Sequence, residues 1–129
     1  MAQETRLEYQ SLPAVAPSYL RAATTLSGGL SQGETIPDIV AEIADLEVRA
    51  EELAKYRKVC GFRHSPYLPV TYPHVLAFPI HMAVMTHKQF PLKLLGLIHI
   101  RNEITQYRNI EVAEKLLLQV SVGGHEEVA

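Results

Sequence analysis

The chain has 129 residues, of which 47% are hydrophobic and 20% are charged, an ordinary composition for one globular domain or for part of a larger one. Its net charge of −2 excludes the strongly cationic surface that binds a phosphate backbone, so we expect no nucleic-acid partner. The single cysteine, Cys60, excludes an internal disulfide framework and predicts a reducing, cytoplasmic location.

The N-terminal residues carry no export signal that we recognise. Residues 1–8 lack a basic stretch followed by an apolar core, and no later stretch reaches the roughly 18 apolar residues of a membrane helix. We therefore expect neither export nor association with a membrane.

Residues 1–37 are predicted to form a lead segment that is partly irregular, and residues 38–129 to form the main domain. Prolines and glycines are frequent over 11–37, and no helical or strand period is sustained there. A short helix is expected over 18–26, with Tyr19, Ala22, Ala23 and Leu26 on one face. Gly28 and Gly29 are expected to end it and to act as a flexible spacer.

The next two elements are a strand over 43–48 and a helix over 50–60. The helix is the better defined, because acidic Glu51 and Glu52 lie in its first turn and basic Arg57 and Lys58 lie in its last turn, as the helix dipole favours. Gly61 is expected to terminate it. Leu53, Tyr56 and Cys60 follow helical spacing. A nucleophilic Cys60 would need a nearby base, and the neighbouring sequence offers only Arg57, Lys58 and Arg63, so Cys60 is interpreted as a small buried residue.

Residues 56–90 concentrate the side chains that could form a site. They contain four of the six histidines and four of the eight prolines. Residues 65–73 are expected to be rigid and irregular, because each proline favours extended backbone in the residue before it. A single helix is expected over 74–86, apolar on nearly every side and kinked at Pro79.

The pattern changes to period two after Pro91. Ile98, Ile100 and Ile104 alternate with their neighbours, and so do the apolar residues between 114 and 122. We expect strands over 97–105 and 114–122, paired in an antiparallel sheet against which the 74–86 helix packs.

Two segments carry a resemblance to a known family. Residues 68–82, centred on Tyr72-Pro73-His74, and residues 96–108, containing His99-Ile100-Arg101-Asn102, resemble the MaoC-like acyl dehydratases and (R)-specific enoyl-CoA hydratases. The likeness is to the amino-terminal, non-catalytic half of their double-hot-dog members. It implies an α+β hot-dog fold, an antiparallel sheet around a central apolar helix, and here an incomplete one because only three strands are predicted.

The resemblance implies hydro-lyase chemistry but not an intact catalytic site. Reversible hydration of an enoyl thioester needs an acid/base pair and amide donors for the thioester oxygen. The family carries the pair in a motif close to Ser-Gly-Asp-x-Asn-Pro-x-His, and here Phe62 stands at the Asp position and His64 near the Asn position. Pro73 stands where a glycine would donate its N–H, and proline has none. We therefore assign no catalytic residue.

The resemblance leads to a substrate-shaping role. It implies that Tyr72, His74, Phe78 and Met82 bind an acyl-CoA or acyl-ACP thioester, that a homodimer or a catalytic hot-dog partner completes the unit, and that no cofactor is used. The alternative is a catalytically silent hot-dog module for acyl binding or scaffolding. Phe78, Met82 and Met85 could equally be core residues, and the histidines are interpreted as structural rather than catalytic. No metal site is predicted, because His74 and His81 share a helix face without further ligands at a suitable spacing.

Overall fold

The computed structural model describes residues 4–25 and 28–126. Helices and strands both occur in these residues, so the α+β class predicted from the sequence is confirmed. The elements are β1 (Thr5–Tyr9), α1 (Val15–Thr24), β2 (Ile39–Leu46), α2 (Ala50–Cys60), α3 (Tyr72–Leu76), α4 (Phe78–Met85) and β3 (Leu116–Val122).

The three strands form one mixed sheet in the order β1-β2-β3. β1 runs parallel to β2, with Thr5 opposite Ile39, and β3 runs antiparallel to β2, with Val122 opposite the same residue. The all-antiparallel sheet expected from the sequence is therefore wrong. The parallel pair arises because α1 and the following loop carry the chain back across the sheet between β1 and β2.

The main core lies between β2 and α4. Alternate residues of β2 point to one face of the sheet, as in any strand, and there they meet the apolar surface of α4. The buried cluster consists of Ile39, Ala41, Ile43, Ile80 and Val84. The predicted packing of this helix on a sheet is thus confirmed, although the sheet differs from the predicted one.

The segment interpreted as an N-terminal lead is part of this fold. It supplies β1 to the sheet, and α1 contacts α4. α1 begins three residues before the predicted helix, and it buries Ser18 and Ala22 while Tyr19 is 56% exposed. The expected face through Tyr19 is therefore wrong, and Leu26 lies outside the described residues. The division of domains at residue 37 stays a prediction.

Helix α2 matches its predicted limits and charge pattern. Gly61 follows it with φ of 75°, a left-handed conformation that a residue without a side chain adopts readily. Leu53 and Arg57 are its buried residues, whereas Cys60 is exposed, so the expectation of a buried thiol is wrong. Cys60 is the last residue of the helix, beyond the turns that pack against the second cluster of Leu53, Leu68 and Tyr72.

The single kinked helix expected over 74–86 is two helices. α3 ends at Leu76 and α4 begins at Phe78, with Ala77 between them. Pro79 has no N–H to donate to the carbonyl of Val75, which removes one hydrogen bond of a continuous helix. The chain stays close to helical at the junction, where Ala77 donates to the Pro73 carbonyl at 3.0 Å.

The predicted strand over 97–105 is absent, and this expectation is wrong. The segment makes no sheet pairing in the described part of the chain, and Ile98 and Ile100 are 82% and 88% exposed. A strand needs a partner for its backbone N–H and C=O groups, and here the neighbouring segments offer none. The other two strands are confirmed with shifted ends: the strand predicted over 43–48 is β2, and the strand predicted over 114–122 is β3.

We predict that Ile80→Ala destabilises the chain by about 2–5 kcal/mol, because Ile80 is fully buried at the centre of the β2–α4 core and its truncation leaves a cavity. Urea unfolding followed by circular dichroism measures the change. The matched control is Val59→Ala, at a helical residue that is 85% exposed, which should change stability by no more than about 0.5 kcal/mol. Equal effects of the two substitutions would contradict the assigned core.

Candidate functional site

Two of the four predicted substrate-binding residues are buried and two are exposed. Tyr72 and Met82 are buried, with 3% and 4% of their surfaces exposed, and Phe78 is 42% exposed. His74 is exposed on α3. The structure therefore does not gather the four side chains into one cavity, and their role in binding stays a prediction.

Tyr72 belongs to the cluster that joins α2 to α3. Its ring lies 5.0 Å from the ring of Tyr56, measured between centroids, and it packs against Leu53 and Leu68. Burial raises the pKa of Tyr72, and Glu52 and Tyr56 raise it further, so the phenol stays protonated at neutral pH. A neutral buried hydroxyl can donate a hydrogen bond but cannot act as a base there.

His74 and His81 come together across the α3–α4 junction, as their spacing predicted. Their ring centroids are 5.1 Å apart and their planes are tilted by 52°. Burial lowers the pKa of His81 from its ordinary value of 6.5, and the neighbouring His74 lowers it further. The lowered pKa favours the neutral form of the His81 ring, which suits a structural imidazole.

A shallow groove of about 370 Å³ runs beside His74. Its other wall is the irregular segment 104–108 with Ile110, and Val70 and Pro73 lie next to His74. Arg108 in this wall donates to both carboxylate oxygens of Glu114, at 2.8 and 2.7 Å. These bonds, together with one from the Glu111 backbone, lower the pKa of Glu114 to about 2 and hold the turn that follows the groove.

The two positions that the resemblance makes decisive have the expected character. Phe62 stacks on Tyr56, with ring centroids 5.9 Å apart, and is 41% exposed. Pro73 lies in the first turn of α3. Neither residue can move a proton, and Pro73 offers no amide donor at the point where the resemblance requires one.

Arg57 is a feature that the sequence interpretation missed. It was assigned only to the helix dipole, but its side chain is 7% exposed and reaches from α2 to the irregular segment that follows it. Nη2 donates to the carbonyls of Ser65 and Tyr67, both at 2.8 Å. The spacing of Leu53 and Arg57, four residues apart on one helix face, was the signal that could have indicated burial.

The described residues form neither a metal cluster nor a helix that could span a membrane. Within residues 4–25 and 28–126, no three His, Cys, Asp or Glu side chains converge as metal ligands would. Over the same ranges no helix combines the length and apolar character needed to cross a bilayer.

One curated relative bears on function. The chain is 32% identical over 108 residues to 3-hydroxyacyl-thioester dehydratase X of Mycobacterium tuberculosis. The aligned region covers 84% of this chain and 39% of the relative, so the chain spans well under half of that protein's length. No family model matches the chain, and no solved structure does.

We predict that His81 makes the folded chain less stable in mild acid. Its pKa is lowered in the folded state, so the unfolded chain binds the proton more readily. Its contribution is therefore most favourable above about pH 6.5 and is lost as the pH falls through the lowered folded-state value. The pKa of His87 is also lowered, by burial first and then by Lys88 and Arg21, and it acts in the same direction.

Thermal unfolding of the His81→Gln variant between about pH 5 and pH 7 should show a flatter dependence on pH than the parent chain. His99→Gln is the matched control, because His99 is exposed. An unchanged slope in His81→Gln would contradict the assignment.

Proposed function

We propose that this chain is an acyl-thioester dehydratase-related protein that shapes the acyl site and depends on a catalytic partner for turnover. The observation that carries the proposal is the similarity to 3-hydroxyacyl-thioester dehydratase X, which covers 84% of this chain but only 39% of the relative. The remainder of the relative, which this chain does not match, leaves room for a separate catalytic unit.

The chemistry of dehydration supports a non-catalytic role. Removal of water from a 3-hydroxyacyl thioester needs a base for the C2 proton, an acid for the leaving hydroxyl and N–H donors for the thioester oxygen. The MaoC-like resemblance puts Phe62 and Pro73 at positions that should supply two of these groups. His64, two residues after Phe62, contacts the Arg57 guanidinium rather than a carboxylate.

The packing of a helix on the sheet supports the hot-dog part of the proposal, and the double-hot-dog type rests on the resemblance. A sheet whose central strand packs against the apolar helix α4 is the core that such a fold requires. In this proposal the segment 97–105, whose sequence alternates like a strand, forms a strand only when the partner supplies another strand to pair with it. In this proposal an acyl-CoA or acyl-ACP thioester is the substrate, and Tyr72, His74, Phe78 and Met82 are the residues that bind it.

A reducing, cytoplasmic location is part of the proposal. The thiol of Cys60 is free and exposed. An exposed free thiol is open to oxidation and to disulfide exchange outside a reducing compartment.

We predict that the isolated chain binds octanoyl-CoA but does not hydrate crotonyl-CoA. Phe78→Ala should weaken binding of octanoyl-CoA by about tenfold, because an apolar contact with the acyl chain is lost. Val75→Ala is the matched control, since Val75 and Phe78 are each 42% exposed and lie on the adjoining helices α3 and α4. Calorimetric titration measures binding, and loss of the enoyl absorbance measures hydration.

Two outcomes would count against this prediction. Hydration by the pure chain that disappears in His64→Ala would place an acid/base site at His64. Absence of octanoyl-CoA binding, or equal effects of the Phe78 and Val75 substitutions, would favour the scaffold alternative.

We also predict that the purified chain self-associates at micromolar concentration or, as a monomer, binds an apolar dye. Ile98 and Ile100, two residues apart in the sequence, are both largely exposed, and soluble monomers seldom expose large apolar patches. The double substitution Ile98→Lys with Ile100→Lys should abolish both properties. Val59→Lys, at a position that is 85% exposed on α2, should abolish neither.

Light scattering gives the mass in this experiment. A compact monomer of 14.4 kDa that binds no dye would contradict the need for a homodimer or a catalytic hot-dog partner.

A further inference from the structure

A cavity lies between α2 and the irregular segment that follows it. Its volume is about 470 Å³, large enough for a short aliphatic chain. It is bounded by residues of α2, by Val112 and by the segment around His64. None of the four predicted acyl-binding residues lines it. The lining residues that matter below are Ala54, Arg57, Lys58, Phe62, His64 and Val112.

Arg57 brings an uncompensated positive charge to this cavity. An arginine side chain is always protonated in a protein, and a buried charge is costly unless it is paired. No Asp or Glu in the described ranges lies within ion-pair distance of Arg57, and two backbone carbonyls are its closest acceptors. Its Nε is buried and has no hydrogen-bond partner among the residues that the structure describes.

The guanidinium of Arg57 makes only a weak contact with His64. Nη1 lies 3.4 Å from His64 Nδ1, longer than a strong hydrogen bond between nitrogen atoms. Both residues line the cavity. An acceptor in the cavity that displaces the His64 ring therefore gains a charged donor at little cost to the protein.

The rest of the lining adds positive charge and apolar surface. Lys58 lines the cavity and forms no ion pair in the part of the chain that the structure describes, whereas Glu51 and Glu52 on the same helix both pair with Lys55. Among the residues of 4–25 and 28–126, no acidic residue lines the cavity. Phe62 and Val112 provide apolar walls. The lining thus combines two cations with a surface suited to hydrocarbon.

We propose that this cavity binds an oxyanion carried on a short aliphatic chain, either a carboxylate or a phosphate monoester. The oxyanion accepts from Nη1 of Arg57 and pairs with Lys58, and the chain contacts Phe62 and Val112. The site goes beyond the proposed function, because it requires no thioester, no catalytic partner and none of the four acyl-binding residues.

Titration of the chain with octanoate, octyl phosphate and 1-octanol tests the site. One or both anions should bind more tightly than 1-octanol by about tenfold, and added salt should reduce the difference, as charge pairing predicts. The two anions distinguish a fatty-acid source from a phosphate-ester source. The imidazole resonances of His64 should shift on binding, since the ligand replaces its contact with Arg57.

Variants locate the binding. Ala54→Leu narrows the cavity and should weaken binding of the preferred anion by about tenfold, whereas Val59→Leu enlarges a side chain on the same helix outside the cavity and should leave binding unchanged. Lys58→Gln should weaken binding by about threefold, the effect of one exposed ion pair. These variants leave the bonds of Arg57 to Ser65 and Tyr67 in place, so they test the site even where Arg57→Gln fails to fold.

The results separate this site from the proposed function. Equal binding of 1-octanol and both anions, absence of anion binding, or insensitivity to Ala54→Leu would overturn the site. Binding of octanoyl-CoA should depend on Phe78 and not on Ala54, so either proposal can fail while the other stands.

Discussion

The packing of α4 on β2 is the contact on which the other elements depend. Ile80 and Val84 meet the alternate residues Ile39, Ala41 and Ile43, and all five are buried. Because β2 is the central strand, its position determines where β1 and β3 can form hydrogen bonds. α1 in turn contacts α4. Without this apolar contact, β1 and β3 would lose the central strand with which they pair, and α1 would lose the helix that it contacts.

A second, smaller centre organises the segment after α2. Leu53 and Tyr72 form an apolar cluster with Leu68, and Arg57 holds the backbone at Ser65 and Tyr67. The consequence is that Phe62 and His64 occupy defined places next to α2. In the proposed function, Phe62 stands at the position of the family's catalytic Asp and His64 stands near that of its Asn. Around them lie the stack of Phe62 on Tyr56 and the buried guanidinium of Arg57.

The exposed segment over 97–105 is the part of the chain to which the proposed partner would bind. Its isoleucines alternate as they do in a strand with one buried face, yet Ile98 and Ile100 face solvent. The sequence pattern and the burial disagree here, and a strand supplied by the proposed partner would reconcile them. The relative's greater length, of which this chain matches 39%, supports the same explanation.

The features that the sequence determined by itself are local ones. The limits of α2 follow from its charge distribution and from Gly61, because a helix forms its hydrogen bonds within one segment. The alternation that predicted β3 is equally local. The parallel pairing of β1, the absence of a strand over 97–105 and the burial of Arg57 in place of Cys60 were decided only by tertiary structure. A strand exists only where another segment accepts its backbone hydrogen bonds, and a helical side chain is buried only where something packs against it.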